Sequence, residues 1–297
     1  VVQALGGAAG LSLARAIVRD VHGTRAAASM IGYLTMAMAI APMVTPVIGG
    51  IVQDTAGWRV IFDLMAAYGG VVLLASWLFL FETKRPGARS GAFGAFLVES
   101  RRLLAVRDFW IYAGTLALLA SAFFSFIAAG PFVAVKVYGL TPTVYGFHLT
   151  FVVIGYMAGS FVTARYGGRL GISRMIVLGN VVALAGVGLA CLLVVFGAAD
   201  PIALFAPMVL LGFGNGLALP NCVAGAVSVK PDLAGTCSGL AGAFQVGGGA
   251  VISYVIGHLI DAGIWAGTVW VMLVPMTLGS LGALLLGAFA DDRRLQQ

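Results

Sequence analysis

Nine apolar runs, each about as long as a membrane is thick, dominate this sequence: residues 1–18, 28–52, 59–81, 108–135, 145–165, 172–197, 201–227, 235–260 and 265–289. A helix rises 1.5 Å per residue, so about 20 residues cross about 30 Å of hydrocarbon. The reading that follows is an all-α membrane protein with nine spans. A soluble helical bundle would need a polar face at helical spacing, and most runs have none. Only 9% of residues are charged, against about 25% in soluble domains. The 42 glycines suit helices packed closely in lipid. The first run is not read as a cleaved signal peptide, because no basic segment precedes its apolar stretch.

The net charge of +6 invites a nucleic-acid reading until the basic residues are placed. All Lys and Arg except Arg59 and Lys136 fall in alternate loops, which become cytoplasmic when the C-terminus is placed inside. That bias obeys the positive-inside rule and predicts a multi-pass protein of the bacterial inner membrane with a cytoplasmic C-terminus. No nucleic-acid partner is expected. Cys191, Cys222 and Cys237 are scattered, so neither a disulfide framework, a metal site nor a cofactor is expected.

Residues 82–107 interrupt the spans with six basic residues, Pro86 and several glycines. They read as a cytoplasmic linker, with 93–104 as an amphipathic stretch on the membrane surface, between domains at 1–81 and 108–297. The segment from Val47 to Asp54, followed by Trp58, is echoed by Val255 to Asp261, followed by Trp265, at an offset of about 208 residues. The same offset superposes spans one to three on spans seven to nine. Parallel repeats of this kind build transporters from two like halves. The repeat predicts that spans four to six have counterparts in about 100 further N-terminal residues, giving a parent of about twelve spans in two halves.

Local motifs agree. Residues 3–20, QALGGAAGLSLARAIVRD, resemble the fourth helix and following loop of the bicyclomycin-resistance (Bcr/CflA) branch of drug:proton antiporters in the major facilitator superfamily. Ala41 to Gly50 (APMVTPVIGG) resembles the antiporter motif of the fifth helix, with Thr45 where a smaller residue is usual. Gly130-Pro131-Phe132-Val133, Tyr138 to Pro142 and Tyr145-Gly146 resemble the end of the seventh helix and its loop. Leu219-Pro220-Asn221 and Phe244-Gln245 resemble the tenth and eleventh helices. The resemblance implies a major facilitator fold lacking its first three helices. The missing part includes the first helix, where such antiporters usually carry a proton-binding carboxylate.

The candidate residues divide into two groups. Pro42 and Pro46 lie mid-span, where each removes a backbone donor. Ala41, Thr45 and Gly49, beside Gly50, form a smooth face, and Gly155, Gly159 and Thr163 form another at the same spacing. The resemblance implies that these two faces meet between the bundles and seal the outward side. Span eight offers a third such face in Gly235, Gly239, Ala243 and Gly247. The resemblance pairs it with the second helix of the family. Asp63, one turn from Arg59, reads as half of an interfacial ion pair or as a coupling group. Arg15 reads as a snorkelling or gating cation. For the substrate, Asn215, Asn221 and Gln245 supply polar groups, and Phe123, Phe124 and Phe126 supply aromatic walls. The alternative for each amide is a hydrogen bond between helices.

The function expected is proton-coupled export of small lipophilic or amphipathic compounds by a monomer working through alternating access. Two alternatives stay open: a carrier of another small solute, and a fragment that does not transport. An intramembrane enzyme needs a buried catalytic set, which three isolated histidines do not supply.

Overall fold

A computed structural model describes residues 45–80, 93–198, 200–265 and 267–290, with Gly6, Gly10 and Ile17 as isolated helical positions. Every regular element among the described residues is helical. Seven helices are long and apolar enough to cross a membrane, and they cover the expected spans three to nine. Most of spans one and two lies outside the described residues. The chain divides into compact units at Val1–Gly91 and Ala92–Gln297, a boundary that falls inside the expected linker.

In the first unit, α1 (residues 45–56) ends at Gly57, whose φ of +84° favours glycine, and α2 (Trp58–Phe79) follows. No residue of α2 is buried, so its apolar side chains, such as Trp77 and Phe79, are exposed. Apolar exposure of this kind is the surface a helix presents to lipid.

The second unit begins with α3 (Phe93–Leu104), which fills the expected amphipathic stretch. It continues through α4 (Arg107–Phe132), a π-helical turn (Val133–Val137), α5 (Pro142–Leu170), α6 (Ile172–Val195), α7 (Pro201–Phe205), α8 (Met208–Ser228), α9 (Ala234–Asp261) and α10 (Trp270–Gly287). Helices α4, α8, α6 and α10 close a ring, with α5 packed on α8 and α9 packed on α4.

Local sequence sets several of the helix ends. Thr141 caps α5 by accepting a hydrogen bond from the Val144 N–H at 3.3 Å, and Pro142 occupies the first turn. The helix therefore starts three residues before the apolar run. Asp200 caps α7 in the same way, accepting from the Ile202 N–H at 2.7 Å. The single run at 201–227 is two helices, because Pro207 stands at the N-cap of α8. Span nine begins only at Trp270, after a turn containing Gly263 and Gly267 at positive φ.

Glycine sets the closeness of the ring. Lipid removes most of the hydrophobic drive between helices, leaving packing and interhelical hydrogen bonds. A Cβ at Gly155, Gly159, Gly212 or Gly216 would collide with backbone across the α5–α8 contact. Gly179 and Gly214 do the same between α6 and α8. Two apolar clusters fill the interior. One is centred on Phe126, Phe205, Met208 and Met272, and the other on Phe109, Tyr112, Leu116 and Cys222.

Candidate functional site

The six expected cavity residues do not form one wall. Gln245, half-buried on α9, lies one turn before Gly249, and the Phe124 ring of α4 occupies the space a side chain at Gly249 would need. Phe123 stands edge-to-face with Phe124 at 6.0 Å. The Phe124–Gly249 contact thus lies one turn from Gln245 along α9. Phe126 is fully buried and packs on Phe205 at 6.0 Å, so it is core and not a cavity wall. Asn221 is buried, and its Nδ2 donates to the Leu217 carbonyl of its own helix at 2.7 Å. Asn215 is only 2% exposed and points into the packed ring, with no partner for its Oδ1. Of the three amides, only Gln245 is partly exposed.

The gating residues divide similarly. Gly155 and Gly159 are buried against the backbone of α8, so packing within one unit accounts for the face expected to seal two bundles. Thr163, on the same stripe, donates to the Gly216 carbonyl at 3.1 Å. Gly49 has nothing within 4 Å of an added Cβ, Gly50 is buried, and Pro46 lies in α1. Arg15, Ala41 and Pro42 lie outside the described residues. Asp63 is exposed, and no Arg59–Asp63 ion pair forms among the described residues. The Arg59 guanidinium instead lies over the Trp58 ring, 4.5 Å from its centroid. An exposed pair one turn apart is worth only a few tenths of a kcal/mol, and the adjacent Trp58 ring offers a cation–π contact of similar size.

Sequence reading missed an aromatic hub around Phe205. Phe205 meets Phe126, Tyr138, Tyr145 and His148 at 5.0–6.5 Å. The Tyr145 ring lies where a side chain at Gly130 would go, which ties together two motifs separated in sequence. Burial first, and then the negative charge of Asp200, raise the pKa of the Tyr138 phenol in the α4–α5 turn. Asn180 was also missed. It is fully buried on α6, and its Nδ2 donates to the Ala283 carbonyl at 2.8 Å. A lone amide in the run 172–197 was the available signal.

Comparison with known proteins bears on the whole chain. The family model described as Major Facilitator Superfamily matches residues 1–144. An uncharacterized MFS-type transporter, YdgK of Bacillus subtilis, is 28% identical over 94% of this chain and 70% of its own length. A chloramphenicol resistance protein of Pseudomonas aeruginosa is 30% identical over 92% of this chain and 64% of its own length. A bicyclomycin resistance protein homolog of Haemophilus influenzae is 24% identical over 87% of this chain and 65% of its own length. This chain thus spans about two thirds of these relatives. Among solved structures, a bacterial homolog of the human lysosomal transporter Spinster, inward-facing and unoccupied, superposes with a TM-score of 0.61 at 15% identity, over 93% of this chain and 71% of that one. That likeness supports the fold alone. Helices of membrane-crossing length make this chain a multi-pass membrane protein, and the superfamily's model over residues 1–144, with relatives along nine-tenths of the sequence, makes it similar to the major facilitator superfamily.

Proposed function

We propose that the protein containing this chain is a proton-coupled exporter of small lipophilic or amphipathic compounds, of the Bcr/CflA branch. It works as a monomer in the bacterial inner membrane with its C-terminus in the cytoplasm, and by alternating access without covalent chemistry. Two relatives named for chloramphenicol and bicyclomycin resistance support the substrate class. The observation that carries the reading is Gln245, half-buried on α9 one turn before Gly249, the residue that packs on the Phe124 ring of α4. One accessible amide a helical turn from a packed aromatic ring suits a largely apolar solute with a few polar atoms.

The test is accumulation of chloramphenicol and bicyclomycin in cells expressing the whole protein. Accumulation of at least one falls, and an uncoupler that collapses the proton gradient restores it. Export that continues unchanged in uncoupled cells overturns the coupling. Gln245→Ala changes the ratio of the two drugs, since a cavity hydrogen bond matters only to solutes that use it. An equal loss for every drug makes Gln245 a packing residue.

A further inference from the structure

Three helices of the ring carry the same internal pattern at the same depth. On α6, Asn180 lies four residues after Ile176 and three before Ala183. On α8, Asn215 lies between Leu211 and Ala218, and on α10, Ser280 lies between Met276 and Ala283, at the same spacings. In each triplet one apolar neighbour belongs to the Phe126 cluster and the other to the Phe109 cluster. The polar residues therefore occupy the layer where the two clusters meet.

Helix geometry makes the side chains converge. Gly186 packs on the backbone of Pro207 and Leu211, and Gly179 on that of Gly214 and Ala218, so α6 and α8 run antiparallel. Stepping one residue past the Gly179–Gly214 contact turns both helices by about 100° to the same side of their common plane. Asn180 and Asn215 are those next residues. On that side Asn180 Nδ2 donates to the Ala283 carbonyl of α10, and Ser280 stands one turn from Ala283 on the same face.

Three atoms of this layer lack a protein hydrogen-bond partner: Asn180 Oδ1, Asn215 Oδ1 and Ser280 Oγ. Their residues are 0%, 2% and 0% exposed. The Asn180 amide cannot be flipped to escape this, because its Nδ2 is held by a carbonyl. Hydroxyls of α4 and α10 such as Thr115, Ser125 and Thr277 bond to the carbonyl one turn back. Ser280 does not. Two acceptor-only oxygens and one free hydroxyl match the valence of water.

We propose that α6, α8 and α10 bind a water molecule in this layer, which donates its two protons to Asn180 Oδ1 and Asn215 Oδ1 and accepts from the Ser280 hydroxyl. With no carboxylate among the three groups, the site suits a neutral donor and not a cation. A buried water needs two to four such partners, and here it links α8 to α10, which both pack on α6 but hardly on each other.

The test is the sign of a stability change in the full chain. Removing a hydroxyl that is merely unsatisfied stabilises a protein, whereas removing one leg of a satisfied network destabilises it. Ser280→Ala is therefore expected to lower the unfolding midpoint in detergent by about 2–4 °C, and an unchanged or raised midpoint overturns the proposal. Exchanging sodium for choline leaves the midpoint unmoved; stabilisation by sodium makes the ligand a cation and also overturns it. Radiolytic hydroxyl labelling of the unaltered protein decides independently of any variant. Leu211 and Ile176, both fully buried, should be labelled by radicals formed in place. Labelling no greater than at the buried Leu273 overturns the water.

Discussion

Pro220 cannot donate a backbone hydrogen bond, so the carbonyl of Gly216, one turn earlier in α8, loses its helical partner. Thr163 supplies the replacement from the neighbouring helix at 3.1 Å. Thr163→Val, nearly the same shape without the hydroxyl, should cost about 1–3 kcal/mol for the orphaned carbonyl. Thr163→Ser should recover most of it, as measured by the midpoint of thermal unfolding in detergent. Gly159, one turn before Thr163, makes the complementary case. Gly159→Ala places a methyl group on the Phe213 carbonyl, and forcing apart two backbones should cost about 1–3 kcal/mol by the same measurement. The spacing of Gly155, Gly159 and Thr163 made one smooth face legible in the sequence. It did not say which helix would meet that face, because a period fixes direction on a helix and carries no address for the partner.

At the scale of the element, α3 shows how a linker is held. The first turn of α9 has no side-chain cap, since Leu233 stands at its N-cap. Glu99 of α3 accepts a hydrogen bond from the Thr236 hydroxyl at 2.5 Å, which brings a carboxylate to the positive end of α9. Trp110 Nε1 donates to the Leu104 carbonyl at 2.8 Å, and Leu103 is fully buried. Phe96, Leu97 and Val98 are exposed, beside Arg101 and Arg102, as an interfacial helix requires. Glu99→Ala should raise amide hydrogen exchange across 93–104 and leave α4 to α10 protected; unchanged exchange would show that Leu103 alone docks the helix. The sequence displayed the amphipathic period of this stretch but not the Glu99–Thr236 contact, which spans 137 residues. Pro207 marked a possible break in the run at 201–227, but so did Pro220, which lies inside α8, so proline alone did not locate the boundary between α7 and α8.

For the whole molecule, composition and run length carried the fold class, because a chain so poor in charge has few other ways to satisfy its backbone in lipid. The position of each helix in the ring was not legible, since every run is apolar nearly all round and shows no preferred face. One face remains unused in Ala92–Gln297. Gly235, Gly239, Ala243 and Gly247 are all exposed along α9, and an added Cβ at any of the three glycines would meet nothing within 4 Å. This contrasts with Gly248 and Gly249 of the same helix, which lie against α4. Smooth faces of this kind permit close approach by a further helix. Gly239→Leu should therefore leave the folding of this unit unaltered, because the new side chain has open space within it. On the proposed function, the same substitution in the whole protein should cut drug efflux by obstructing a helix that packs there during the transport cycle. The two readouts are the unfolding midpoint and drug accumulation, taken on one preparation and one strain. An unchanged midpoint with lost efflux assigns the face to a moving contact. Unchanged efflux would make it a surface that faces lipid throughout the cycle, where a leucine is as welcome as a glycine.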